Sequence, residues 1–301
     1  MRVERPTQPQ SIWRSYSGRL LHSGEEALLD WVDRFRDGSS GSKILLTSAP
    51  KAGTHLLMGA LNGLLELRRR PLTLEPYQPW QRHAAQLARM AGTRFAWGHL
   101  AASPPVLRMA ARMDLRVVVM LRDPRDVVIS FVDHVCRLKP HVLRAYFESL
   151  PDEAAKLRAA IVGAPAAACR RDEAVVRSGY YDGYTGFADI GTVLRSYLLW
   201  EQHPRVIFSR FETLVGERGG GTRERQRAEI ARIASFLGLQ HQDSRIEGIC
   251  DRLFDQQAAT FNVGRAGRWR ELFDADARAI FEEVAGAELR RLGYADNGAW
   301  G

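Results

Sequence analysis

Apolar residues fall into two rhythms along this chain. Unbroken runs at Ile44-Leu45-Leu46, Val117 to Leu121 and Val206-Ile207-Phe208 have the length and branched content of strands covered on both faces. The shorter Phe95-Ala96-Trp97 predicts a fourth strand over 94–100. Elsewhere apolar positions recur every three or four residues. This spacing predicts helices at 25–35, at 54–67 with Leu56, Leu57, Ala60, Leu61, Leu64 and Leu65, at 104–112 behind Pro104-Pro105, at 223–237, at 244–254 and at 276–292. Strands alternating with helices predict an α/β fold: one domain over 1–301, with a central, mainly parallel sheet flanked by helices. Residues 1–42 form an N-terminal extension, 139–192 read as a variable cap, and Gly219-Gly220-Gly221 read as a flexible break.

Two strand ends carry candidate chemistry. The first runs from the strand at Lys43 through Ala49-Pro50-Lys51-Ala52-Gly53 into the helix at Thr54. A helix N-terminus leaves its first amides unpaired and partly positive, so Gly53, Thr54 and His55 offer N–H donors to an anion beside Lys51. At the second, Arg122 closes the strand at Leu121, Pro124 opens the next helix, and Ser130 follows two turns later. Ligands of open α/β sheets collect beyond the C-terminal strand ends, so two such ends side by side can hold one molecule with phosphates at both poles.

Bulk properties narrow the picture only slightly. A net charge of +8 and a pI of about 9.7 suit any anionic partner. The basic clusters at 67–70 and 169–171 are short and scattered, which fits solvated surface and no nucleic-acid site. Cys136, Cys169 and Cys250 are far apart and form no CxxC, which argues against a disulfide framework or a structural zinc. No apolar run reaches the roughly 20 residues of a membrane span and no signal-peptide core opens the chain, so a cytoplasmic enzyme is expected.

Pro50-Lys51-Ala52-Gly53-Thr54, together with Arg122 and Ser130 eight positions apart, resembles the sulfotransferases that use 3′-phosphoadenosine 5′-phosphosulfate, PAPS. The resemblance implies a sulfuryl transfer to a hydroxyl of a small molecule, glycan or lipid, with PAPS as co-substrate and no metal. It implies that Lys51, Ala52, Gly53, Thr54, His55 and Leu56 surround the 5′-phosphosulfate and that Arg122 and Ser130 hold the 3′-phosphate. His99, in Gly98-His99-Leu100, matches the family base, and Lys51 is to stabilise the leaving phosphate; His55 is the competing base.

The segment Gly264-Arg265-Ala266-Gly267-Arg268-Trp269-Arg270 is similar to the family's R-K-G-x-x-G-x-W loop, with Asn262 and Val263 in place of its Arg-Lys pair. Gly264, Arg265, Ala266 and Gly267 are therefore expected at the nucleotide, Arg265 supplying the missing charge. Leu56 stands where the family often has an adenine-stacking tryptophan and Trp97 where it often has a lysine, so Phe211 or Phe254 is expected to pack the adenine. Asp126 is expected to brace its turn. The family's dimer motif is not recognisable after Arg270, which leaves the oligomeric state open.

Two other functions fit parts of the sequence. A P-loop kinase or nucleotide hydrolase would also use a strand, a glycine loop and a lysine, but Lys51 precedes Gly53 and no G-K-[S/T] sets a hydroxyl on magnesium. A protein that binds a nucleotide or anion without turnover would account for the missing Arg-Lys pair.

Overall fold

The computed structural model describes residues 26–32, 43–65, 70–76, 78–90, 95–137, 141–169, 187–254, 264–295 and 300. Five strands, β1 (Ile44–Ser48), β2 (Leu72–Leu74), β3 (Phe95–Gly98), β4 (Arg116–Leu121) and β5 (Val206–Arg210), form one sheet in the order β2-β3-β1-β4-β5, every pairing parallel. Helix α1 (Thr54–Leu65) leaves β1, α2 (Trp80–Ala88) precedes β3, α3 (Pro104–Arg112) joins β3 to β4, and α4 (Pro124–Arg137) leaves β4. After α4 come α5 (Arg144–Glu148), α6 (Glu153–Val162) and α7 (Ile190–Leu198); after β5 come α8 (Phe211–Leu214), α9 (Arg223–Leu237), α10 (Asp243–Leu253), α11 (Trp269–Leu272) and α12 (Ala275–Arg291).

The continuous apolar runs have their physical reason in two cores, one on each face of the sheet. Leu45, Val117 and Val119 face a core built with α3, α4, α6, α7 and α12. Leu46, Val118 and Met120 face the other, built with α1, α9 and α10. Side chains alternate along a strand, so β1 and β4, covered on both faces, are apolar along most of their length, with Thr47 and Ser48 buried at the end of β1. β5, expected to be covered on both faces as well, lies at the sheet edge, and its Val206, Ile207 and Phe208 are only half-buried.

Register then places the loops. Thr47 pairs with Gly98, Ser48 with Met120 and Leu121 with Arg210, so the C-terminal ends of β3, β1, β4 and β5 finish side by side. Lys51, His99, Arg122 and Phe211 all follow those ends within a few residues.

Several features depart from the sequence reading. β2 and α2 have no counterpart in it: β2 is a three-residue edge strand between Pro71 and Glu75, too short for an alternating pattern to announce. Within 139–192, read from the sequence as helical stretches mixed with Gly and Pro, the described part includes α5 and α6, where Leu143, Phe147, Leu157 and Ile161 are buried in the first core; the aromatic cluster Tyr180, Tyr181 and Tyr184 lies outside the described residues. Gly219-Gly220-Gly221 is a closed turn, with Gly219 N and Gly221 N donating to the Gly216 carbonyl at 3.1 and 2.8 Å. The carbonyl of Gly219 accepts from Ala266 N at 3.1 Å, so the turn docks the segment at 264–269.

The β4–α4 turn is clamped from behind. Arg125, 2 % exposed, donates from Nε and Nη2 to the two carboxylate oxygens of Asp123 at 2.9 and 2.8 Å, and to the carbonyls of Tyr294 and Trp300 at 2.8 and 2.7 Å. Its guanidinium lies 3.5 Å from the Trp269 ring centroid. Replacing Arg125 with Met leaves Asp123 buried without its partner and is expected to lower stability by about 3–5 kcal/mol in urea unfolding. An unchanged midpoint would show that the clamp is dispensable.

Candidate active site

The loop between β1 and α1 takes a backbone that only part of its sequence favours. Gly53 sits at φ 103° and Lys51 at φ 70°, a left-handed conformation that costs a non-glycine residue roughly 1 kcal/mol. A Cβ at Gly53 would come within 2.7 Å of the Phe211 ring and 3.1 Å of Met120, so glycine is required for space as well as for φ. Leu56 N and Leu57 N both donate to the Gly53 carbonyl, at 3.0 and 3.2 Å, which starts α1. Among the described residues the amides of Gly53, Thr54 and His55 have no backbone acceptor and are open to an anion, whereas that of Leu56 is already satisfied. Thr54 is buried, its hydroxyl 2.6 Å from that of Ser48.

Arg122 gathers the second and third segments onto the first. It is 8 % exposed, and it donates from Nη1 to the Lys51 carbonyl at 3.2 Å and from Nη2 to the Arg265 carbonyl at 3.1 Å. Asp126 stands 3.9 Å from Nη2, and the Phe211 ring centroid lies 4.3 Å from the guanidinium carbon. Its buried Nε–H has no acceptor, an orphan donor suited to an anion. Burial presses the Arg122 pKa down, and Asp126 and Glu212 oppose that shift.

Asp126 braces as expected, and its reach extends beyond its own turn. It accepts Gly267 N at 2.6 Å and Trp269 N at 3.1 Å, and Arg268 adds an ion pair to Asp133 on α4 at 2.7 Å.

These contacts change the expected roles of the third segment. The amides of Ala266 and Gly267 already donate within the protein, to Gly219 and Asp126, so neither is a free donor for a phosphate. The Arg265 side chain is half exposed and ion-paired with Glu271, while its carbonyl accepts from Arg122. Gly264, at φ 63°, supplies the turn that brings this segment in. Phe211, 5 % exposed, supports Arg122 and packs beneath Gly53, so it has little surface left for an adenine. Phe254 ends α10, half-buried on the second core where Leu56 also packs. Trp269 is buried in packing against Arg125, Phe273 and Trp300.

His99 is set by β1. Its Nδ1 donates to the Ser48 carbonyl at 2.9 Å, which leaves Nε2 of the neutral ring bare. Thr47 and Trp200 fix the same turn by donating to the Leu100 carbonyl at 2.8 and 3.2 Å. Burial pushes the His99 pKa down to about 4, with Lys51 and His55 adding to the effect. Lys51 is lowered to about 8 by burial and by Arg137 and Arg122. His55 stacks at a tilt on Trp97, ring centroids 5.2 Å apart, and its pKa is lowered by burial and then by Lys51.

Ser130 is buried on α4 one turn beyond Asp126. Further along the helix, Asp133, His134 and Arg137 are all near enough for electrostatic coupling to Lys51, and so is His141 beyond its end. Sequence reasoning missed Ser48, His134 and His141. The spacing from Ser130 to His134 and Arg137, four and seven residues, was the available signal for the last turn of α4.

The site thus combines open amides at a helix start, two cations from neighbouring strand ends and a neutral imidazole whose free nitrogen accepts protons. A family model described as "Sulfotransferase domain" matches residues 29–293. The chain belongs to the sulfotransferase domain family, and sulfuryl transfer is the chemistry this membership assigns. Among solved structures, mouse sulfotransferase SULT7A1 complexed with PAP is similar in fold, with a TM-score of 0.55 and 17 % identity over 88 % of this chain and 90 % of that one. No curated protein sequence matches.

Gly53→Ala tests the first loop. The added methyl must displace Phe211, so the variant is expected to lose about 1–3 kcal/mol of stability and to bind anions more weakly than Gly98→Ala, whose methyl meets Leu74 away from the loop. Thermal unfolding with and without inorganic phosphate reads both effects, and equal phosphate responses in the two variants would show the loop to be unimportant.

Proposed function

We propose that this chain transfers a sulfuryl group from PAPS to a hydroxyl of a small-molecule, glycan or lipid acceptor, with His99 as base and Lys51 at the leaving phosphate. The observation that carries the reading is the 3.2 Å bond from Arg122 Nη1 to the Lys51 carbonyl, which ties the end of β4 to the loop after β1 and so supports one ligand spanning both. The orphan Nε–H of Arg122, the open amides of Gly53, Thr54 and His55 and the steric need for glycine at 53 fit the bisphosphate nucleotide. The PAP carried by the similar mouse sulfotransferase supports the same donor class. PAPS supplies an activated sulfuryl group when bound, and the rest is done by the chain.

His99 Nε2 takes the proton from the acceptor hydroxyl, and the Ser48 carbonyl steadies the imidazolium that forms by accepting from Nδ1. Lys51 neutralises charge that grows on the departing phosphate oxygen, and its desolvation makes that interaction stronger than in water. Arg122 and Ser130 hold the 3′-phosphate end. The protein's own cations carry the charge, so we assign no metal, and we place the enzyme in the cytoplasm. Cys136 and Cys250 are free thiols and no helix among the described residues is long and apolar enough to cross a membrane.

A metal-free thermal-shift titration with the bisphosphate nucleotide, followed by transfer assays with labelled PAPS in EDTA, tests this reading. Retained binding and turnover is the expected result; dependence on magnesium and ATP would favour a kinase, and binding without product would favour a non-catalytic protein. His99→Ala is expected to keep nucleotide affinity and lose about 10²–10⁴ in transfer rate.

The pH profile follows from the two groups. His99 must be neutral and Lys51 charged, so kcat/KM should rise through about pH 4 and fall through about pH 8. An anionic nucleotide favours the lysine cation and moves the alkaline limb of kcat higher. Lys51→Arg stays charged and should remove the alkaline limb; a limb that persists in this variant belongs to another group.

A further inference from the structure

Tyr294, which the transfer chemistry above does not use, lies just past α12 and reaches the turn after β4 by two routes. Its hydroxyl donates to Glu212 Oε2 at 2.9 Å, and its carbonyl accepts from Arg125 Nη2 at 2.8 Å. The ring is held as well: the Arg210 guanidinium carbon stands 4.8 Å from its centroid, and Arg210 also donates to the Leu292 carbonyl. With ring and carbonyl both fixed, the O–H is aimed at one carboxylate oxygen.

Glu212 passes this constraint to Arg122. It lies on α8 directly after Phe211, whose ring centroid is 4.3 Å from the Arg122 guanidinium carbon. Its Oε1 accepts the amide of Asp123, the residue that follows Arg122, at 2.8 Å. Among the described residues no cation forms an ion pair with Glu212. Burial pushes its carboxyl pKa up, and the Asp123 amide and the Tyr294 hydroxyl oppose that shift. A carboxylate withdrawn from water needs such donors, and losing one leaves it costly and free to turn. The tip of Arg122 is tied to the carbonyls of Lys51 and Arg265, so the direction of its orphan Nε–H depends on how the backbone at 122–123 is set. The bond from Asp123 N to Glu212 sets it.

Resting on the transfer reading above, in which Arg122 holds the 3′-phosphate, we propose that Tyr294 is a positioning residue for the nucleotide: its O–H fixes the Glu212 carboxylate, the other oxygen of that carboxylate fixes the Asp123 amide, and the peptide so held aims Arg122 Nε–H at the 3′-phosphate. The turn that ends α12 thereby acts on the donor end of the cleft without touching ligand. Packing alone accounts for the ring and carbonyl contacts of Tyr294 but needs no hydroxyl. Among the described residues that hydroxyl meets Glu212 alone.

Calorimetric titration of the full chain with adenosine 3′,5′-bisphosphate and with adenosine 5′-phosphate gives the affinity ratio that isolates the 3′-phosphate contact. Tyr294→Phe keeps the ring and the carbonyl and is expected to lower that ratio about three- to tenfold, with affinity for the 5′-phosphate unchanged. Glu212→Ala should lower it at least as far, and adding Tyr294→Phe to Glu212→Ala should lower it no further, because the tyrosine acts through the carboxylate. Leu292→Ala, buried in the same segment, is expected to lower the melting temperature and leave the ratio at its wild-type value. A wild-type ratio in Tyr294→Phe or Glu212→Ala, a further loss in the double variant, or an equal loss in Leu292→Ala overturns the assignment. A ratio unchanged in Arg122→Ala would instead overturn the 3′-phosphate site of the transfer reading, which keeps the two failures apart.

Discussion

A single guanidinium joins the pieces of this site. Arg122 donates to the carbonyls of Lys51 and Arg265, residues 71 and 143 positions away, while Phe211 supports its underside and Asp126 stands beside it. Such a contact is possible only because β1, β4 and β5 end in register, with the central pair β1 and β4 buried on both faces. Arginine suits this position: its planar fork reaches two carbonyls at once and still has an N–H to spare, which a lysine ammonium cannot match in the same plane.

The electrostatic character of the cleft follows from that construction. Lys51 and Arg122 are linked through the Lys51 carbonyl, and Arg137, exposed at the end of α4, lies within electrostatic reach of Lys51, so each disfavours further positive charge nearby. The four imidazoles around them, His55, His99, His134 and His141, are all held below the ordinary histidine range, and burial is the largest cause for each. The result is a region that attracts an anion through fixed cations and amides, yet keeps its histidines neutral and able to accept or donate protons.

Much of this was legible in the sequence because local signals carry it. The Pro50-Lys51-Ala52-Gly53 turn, the apolar run ending at Arg122 and the helix starts at Thr54 and Pro124 are all short-range patterns, and each lies within two residues of its expected place. What stayed hidden depends on tertiary contact. That the Arg265 carbonyl accepts from Arg122 while its side chain pairs with Glu271 had no short-range signal. Phe211 looked available to an adenine, but the absence of a Cβ at Gly53 draws its ring underneath the loop. Ser48 carried no motif, yet its carbonyl sets the tautomer of His99 and its hydroxyl meets Thr54. His134 and His141 come near Lys51 only because α4 is laid across the loop.

The account stands on one nucleotide being held at both poles of one cleft. Calorimetric titration of wild type and Arg122→Ala with the 3′,5′-bisphosphate and with an analogue lacking the 3′-phosphate tests this most directly. The expected result is a loss of about tenfold or more for the bisphosphate in Arg122→Ala, as for a charge-assisted contact, with little change for the analogue. Equal losses for the two ligands would contradict it.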